Sequence, residues 1–82
     1  MQKTWKAAVL EALIRYTLKY NTKIFSRRDL IQAELSNIVA ATGSKGETPE
    51  QTLSRVLQEL RDDGIVAFVD NQGTYELLLD IS

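Results

Sequence analysis

The sequence predicts one α+β domain in which three helices are followed by a C-terminal β-hairpin. Apolar residues recur at helical spacing in three segments between residues 4 and 63. A run rich in β-branched and aromatic residues follows, then a turn signal and a second such run. The length of 82 residues lies near the lower end of the range that folds on a hydrophobic core alone, so we expect residues 1–82 to form a single domain.

Helix 1 is predicted from about Thr4, which can cap it, to Tyr20. It carries two apolar stripes. The first contains Trp5, Val9, Ala12, Leu13, Tyr16 and Tyr20, and the second contains Leu10, Ile14 and Leu18. A helix that is apolar on two faces is covered on two faces. We therefore expect a second neighbour for helix 1: a dimer partner, a fused domain, or the apolar C-terminal tail of residues 77–82.

Helix 2 is predicted to follow Ile24 and Phe25, which are too few for more than a single strand-like bridge. Ser26 is the expected N-cap, with Asp29 as a weaker capping-box partner. The apolar side of this helix consists of Leu30, Ala33, Leu35, Ile38 and Val39.

Helix 3 has the clearest start and stop signals. Thr48 is the expected N-cap, Pro49 occupies the first helical position, and Gln51 completes a capping box. Gly64 suits the position after the C-cap, where a left-handed conformation is common. The stripe expected to be buried contains Leu53, Val56, Leu57 and Leu60.

The hairpin is predicted around the turn at residues 70–73, where Gly73 suits a positive φ. Val66 and Phe68 on one strand, with Tyr75 and Leu77 on the other, alternate towards the expected core. The full order is helix, short strand, helix, helix, strand, turn and strand. This order predicts a winged helix-turn-helix fold with a three-helix core and the hairpin as its wing.

The composition excludes several kinds of chemistry. The chain has no Cys and no His, so it lacks thiol and zinc ligands and the commonest general base. Asp62 and Asp63 are adjacent, point apart on a helix and make a poor catalytic pair. Gly43 and Gly46 lack the spacing of a phosphate loop. We expect no cofactor, no metal site and no enzymatic activity in this chain alone.

The lack of Cys, of a signal peptide and of a long apolar run favours a cytoplasmic protein. The net charge of −1 by itself argues against a nucleic-acid ligand, but the charge is polarised. Residues 1–28 contain seven Lys and Arg against one acid, a net charge of +6. Residues 29–82 contain three Lys and Arg against ten Asp and Glu, a net charge of −7. This polarisation fits either a local positive field or a basic face that meets an acidic partner.

Helix 3 offers a polar face that suits DNA recognition. In a helix-turn-helix, the N-terminal half of the second helix contacts base edges in the major groove. Gln pairs with adenine, Arg pairs with guanine, and Ser or Thr hydroxyls hold phosphate. The expected DNA-binding residues are Ser44, Lys45, Thr48, Gln51, Thr52, Ser54, Arg55 and Gln58, with Arg27 and Arg28 as phosphate contacts and Asn71 and Gln72 at the wing tip. A solvated helix surface is the competing interpretation of this face.

The segment QELRDDG followed by FVDNQGTY carries a resemblance, together with Trp5 at the start of helix 1 and FSRRDL at the start of helix 2. It resembles the C-terminal winged-helix domain of Dpn-type and Dam-replacing methyl-directed type II restriction endonucleases. The resemblance covers nearly the whole chain. It implies a double-stranded DNA-recognition module beside a nuclease domain, and recognition of N6-methyladenine in the target site. It does not identify the residues of a methyl pocket.

The alternative hypothesis is a winged helix that binds protein. In this case helix 1 and the apolar tail form the working surface, through a homodimer or another partner. Leu10 and Ile14 would then matter for binding, whereas Arg55 would not.

Overall fold

The computed structural model of the chain describes residues 3–43, 48–70 and 72–79. Its elements in chain order are α1 (Trp5–Tyr20), β1 (Ile24–Ser26), α2 (Arg27–Thr42), α3 (Pro49–Asp62), β2 (Val66–Phe68) and β3 (Thr74–Leu77). The strands form an antiparallel sheet in the order β1-β3-β2. Three helices and this small sheet confirm the predicted α+β class and the winged-helix order of elements.

The first strand is more extensive than the single bridge predicted for it. Ile24 lies opposite Glu76 and Ser26 lies opposite Thr74, so all three residues of β1 pair with β3. On the other side of β3, Val66 lies opposite Leu77 and Phe68 opposite Tyr75. The wing, defined here as β2, β3 and the turn between them, is therefore fixed to the segment that leads into α2.

Two of the three predicted N-caps form as expected. The Thr4 hydroxyl accepts a hydrogen bond from the Ala7 N–H (3.2 Å), and the Ser26 hydroxyl accepts one from the Asp29 N–H (3.0 Å). The prediction of a capping box at the start of α3 is wrong, because the Thr48 side chain makes no capping hydrogen bond. The Thr48 carbonyl instead accepts from the Gln51 N–H at 3.1 Å, so the first turn closes through the backbone.

The end of α3 follows the sequence prediction closely. Gly64 has a φ of +79°, and its N–H donates to the Arg61 carbonyl at 3.0 Å. The next N–H, that of Ile65, donates to the Leu60 carbonyl at 2.9 Å. This pair of bonds is a Schellman motif, which turns the chain directly from α3 into β2.

The core lies between the three helices and the inner face of the sheet. The predicted α3 stripe is confirmed, since Leu53, Val56, Leu57 and Leu60 are all buried. Trp5 and Tyr16 are partly buried and pack against this core, as expected of structural residues. The Phe25 ring stacks on the Tyr75 ring, which joins β1 to β3 through the core.

Two residues predicted to face the core are exposed. Phe68, the last residue of the edge strand β2, is 46% exposed. Tyr20, at the last position of α1, is also exposed. Conversely, the polar Glu34 is buried within α2, and its carboxylate accepts hydrogen bonds from Arg15 (Nη2 at 2.6 Å) and Asn37.

The second apolar face of α1 is covered only in part. Leu10 and Ile14 are partly buried, whereas Leu18 is 65% exposed. In the tail, Leu79 packs against the core, but Leu78 is exposed. Of the three neighbours considered for this face, the described part of the tail does not cover Leu18, and residues 80–82 lie outside the described residues. Within the described ranges, no helix has the length and apolar character needed to cross a membrane.

Candidate nucleic-acid interface

Helix α3 has a buried apolar stripe on one side and an exposed polar row on the other. Leu53 and Leu60 face the core, and the helical period places Gln51, Arg55 and Gln58 on the opposite side. All three of these side chains are exposed. The structure therefore brings together the three residues predicted to contact bases, on the first three turns of the helix.

Two other residues predicted to contact DNA, Ser54 and Thr52, form hydrogen bonds within their own helix. The Ser54 hydroxyl donates to the Glu50 carbonyl at 3.1 Å, and the Thr52 hydroxyl donates to the Thr48 carbonyl at 3.4 Å. Both side chains are half-buried. Their single hydroxyl protons are used inside α3, so in this arrangement they have no proton to donate to a phosphate oxygen.

The two arginines at the start of α2 differ in their surroundings. Arg27 is half-buried, and its guanidinium donates to the Ser54 hydroxyl and to the Glu50 carbonyl. Arg28 is exposed, and no ion pair among the described residues involves it. Adjacent arginines that look equivalent in the sequence therefore have different environments.

The remaining predicted residues lie at the edges of the described structure. Thr48 is exposed at the start of α3, and Gln72 is exposed at the wing tip. Ser44, Lys45 and Asn71 lie outside the described residues.

The wing tip is organised by a carboxylate. Asp70 Oδ1 accepts the Gln72 N–H at 2.8 Å and the Thr74 N–H at 3.3 Å. The Gln72 bond, with a smaller contribution from Thr74, lowers the pKa of Asp70 below its usual 3.8. An ionised Asp70 therefore stands next to Gln72, which is unfavourable for a phosphate contact at this tip. The turn signal in the sequence could have identified this Asx-turn role of Asp70.

Ion pairs account for part of the basic charge counted in residues 1–28. Within the described chain, Lys3 pairs with Glu11, Lys6 with Asp63, and Arg15 with Glu34. The side-chain hydrogen bond from Lys6 to Asp63 raises the pKa of Lys6. The net charge of the first 28 residues thus overstates the positive potential available to a ligand.

The acidic end of α3 is partly neutralised by the same kind of contact. Asp63 pairs with Lys6 of α1, and Asp62 pairs with Arg61 at 3.2 Å. The Arg61 guanidinium also lies 4.6 Å from the centre of the exposed Phe68 ring. Sequence reasoning missed the contact of Arg61 with Phe68, because it depends on how α3 meets β2. Among the described residues there is no group of three or more acidic side chains that could hold a metal ion.

Comparison of the chain with protein-family models, with curated proteins and with solved structures gave no match.

Proposed function

We propose that this domain binds double-stranded DNA by placing α3 in the major groove. The observation that carries the proposal is the exposed row of Gln51, Arg55 and Gln58 on the second helix of a helix-turn-helix. The opposite side of the helix is anchored in the core, so this row has a fixed orientation. Two amides and one guanidinium provide bidentate donors and acceptors for adenine and guanine edges.

Phosphate contacts in this proposal come from a few cations outside the base-contacting row. Arg28 is exposed at the start of α2, and Lys45 precedes α3 in the sequence. Few cations imply a shallow salt dependence. Because the slope of log K against log salt is about −0.9 per phosphate neutralised, one or two contacts predict a slope of about −1 to −2.

The resemblance described above supports a narrower form of the proposal. In this form the domain is the non-catalytic recognition module of a methyl-directed restriction endonuclease, acts in the cytoplasm, and distinguishes N6-methyladenine from adenine. The apolar groups on α3 that could contact the added methyl are few. They are Pro49, the Thr52 methyl group and the aliphatic parts of the glutamine side chains.

The test begins with selection of bound sequences from a library of random duplexes, prepared with and without adenine methylation. The affinity of the recovered 20-base-pair duplex is then measured at two salt concentrations. Gln51→Ala and Arg55→Ala should each weaken it by about 1–3 kcal/mol without changing the unfolding midpoint. Lys19→Ala, which removes an exposed cation from α1, is the matched control and should have little effect. Unchanged affinity in both α3 variants would refute the assignment of α3.

One observation favours a second candidate function, a protein-binding surface on α1. Leu18 projects into solvent at 65% exposure on a helix whose other face is packed. Leu18→Glu should abolish a homodimer or a partner complex formed through this face, whereas Arg55→Ala should leave it intact. Sedimentation measurements on both variants distinguish this function from DNA binding. A monomer that binds no duplex at low salt and no partner would exclude both.

A further inference from the structure

Arg27 contacts both elements that would approach a duplex. Its Nε donates to Ser54 Oγ and its Nη2 to the Glu50 carbonyl at 3.4 Å, both on α3. Ser54 donates to the same carbonyl, which closes a small network on the first two turns of α3. The Arg27 backbone N–H donates to the Gly73 carbonyl of the wing at 2.9 Å.

The packing at Gly73 strengthens this connection. A Cβ atom at Gly73 would lie 3.9 Å from the Arg27 Cβ, so the wing backbone passes close to the first turn of α2. Gly73 has a φ of +86°, which other residues adopt only with strain. The Arg27 backbone N–H thus fixes the wing at its turn, and the Arg27 side chain holds the first two turns of α3.

We infer that Arg27 is a positioning residue that fixes the outer face of α3 relative to the wing, rather than a phosphate contact. The inference rests on the proposed function in one respect, since the fixed geometry serves a duplex. A recognition site must hold its contacting groups in a defined geometry, and supporting hydrogen bonds provide this. A half-buried guanidinium with internal acceptors meets that requirement. The exposed Arg28 is better placed for phosphate.

The first experiment measures the coupling without DNA, using two-dimensional NMR spectra of backbone amides. Ser54→Ala removes one of the two acceptors of Arg27 on α3, the side-chain one, and should shift the amide resonances of Gly73 and Thr74 in the wing. In an Arg27→Lys background, which lacks the forked donor, the same change should leave these resonances in place. Gln58→Ala, exposed on the same helix, is the matched control and should not move them.

The second experiment uses the selected 20-base-pair duplex and compares the two arginines. Arg27→Gln should weaken binding about tenfold with an unchanged salt slope, because positioning is lost but no phosphate contact is removed. Arg28→Gln should reduce the magnitude of the slope by about 0.9, because one phosphate contact is lost. The amide spectrum of each variant confirms that it is folded.

Two results would overturn the inference. One is wing resonances that do not respond to Ser54→Ala, and the other is a loss of slope in Arg27→Gln equal to that in Arg28→Gln. Failure of the wild-type chain to bind any duplex has a different meaning. It would remove the proposed DNA-binding function, while the amide measurements would still decide whether Arg27 couples α3 to the wing.

Discussion

The ion pair between Arg15 and Glu34 gives a prediction whose size follows from the structure. Arg15 donates to one Glu34 carboxylate oxygen through Nε at 3.1 Å and Nη2 at 2.6 Å, which joins α1 to α2. The Glu34 side chain is only 12% exposed, whereas that of Arg15 is 49% exposed. Substitution of Arg15 by Met keeps much of the aliphatic packing and leaves the carboxylate without its cation.

Removal of one partner from a fully buried pair costs about 3–5 kcal/mol. Water reaches this site on the Arg15 side, so we expect about half of that value, near 2 kcal/mol. For a domain of this size, such a loss lowers the melting temperature by about 8–16 °C. Replacement of both partners, Arg15→Met with Glu34→Leu, should restore stability to within about 1 kcal/mol of wild type.

Urea unfolding followed by tryptophan fluorescence or circular dichroism measures these differences, with equal m values as the condition for comparison. Lys3→Met is the control, since both side chains of its pair with Glu11 are about half exposed, and it should change stability by less than about 0.5 kcal/mol. An Arg15→Met variant as stable as this control would refute the argument. So would a double variant no more stable than Arg15→Met alone.

Three further predictions follow from the caps, the core and the wing tip. Ser26→Ala should lower the free energy of unfolding in urea by about 1 kcal/mol, whereas Thr48→Ala should lower it much less. The reason is that Ser26 makes a capping hydrogen bond and Thr48 does not. Leu57→Ala should cost about 3–5 kcal/mol, since its side chain is fully buried; a loss below 1 kcal/mol would contradict the described core. Asp70→Ala should lower the free energy of unfolding at neutral pH, because the ionised carboxylate accepts hydrogen bonds in the turn. This difference from wild type should vanish as the pH falls below the lowered pKa of Asp70. Asp70→Asn, which does not ionise, is the control.

Local signals were sufficient for most of α3. Pro49 and Gly64 mark its ends, and four apolar residues at helical spacing define its buried side. These features depend on interactions between residues close in the chain, so the sequence alone is sufficient to predict them. The exposed row of Gln51, Arg55 and Gln58 follows from the same period, because it is the side left over when the stripe is buried.

Features that depend on distant contacts were not predictable in this way. The burial of Glu34 requires Arg15, nineteen positions earlier, and nothing in the spacing within α2 indicates that partner. Phe68 alternates correctly with Val66, but it is the last residue of the edge strand and remains 46% exposed. The difference between Arg27 and Arg28 likewise depends on Ser54, which folding brings to the start of α2.

These contacts bear on the DNA binding that we propose for this domain. Three cations among residues 1–28 are paired with carboxylates, and Arg27 is engaged with α3, so more than half of the seven cations in this segment already have partners within the domain. With few cations left for phosphate, non-specific affinity should be weak. In the proposed complex, base contacts from Gln51, Arg55 and Gln58 would then supply a larger share of the binding energy. We therefore expect a domain that binds random duplexes poorly even at low salt and distinguishes its target strongly.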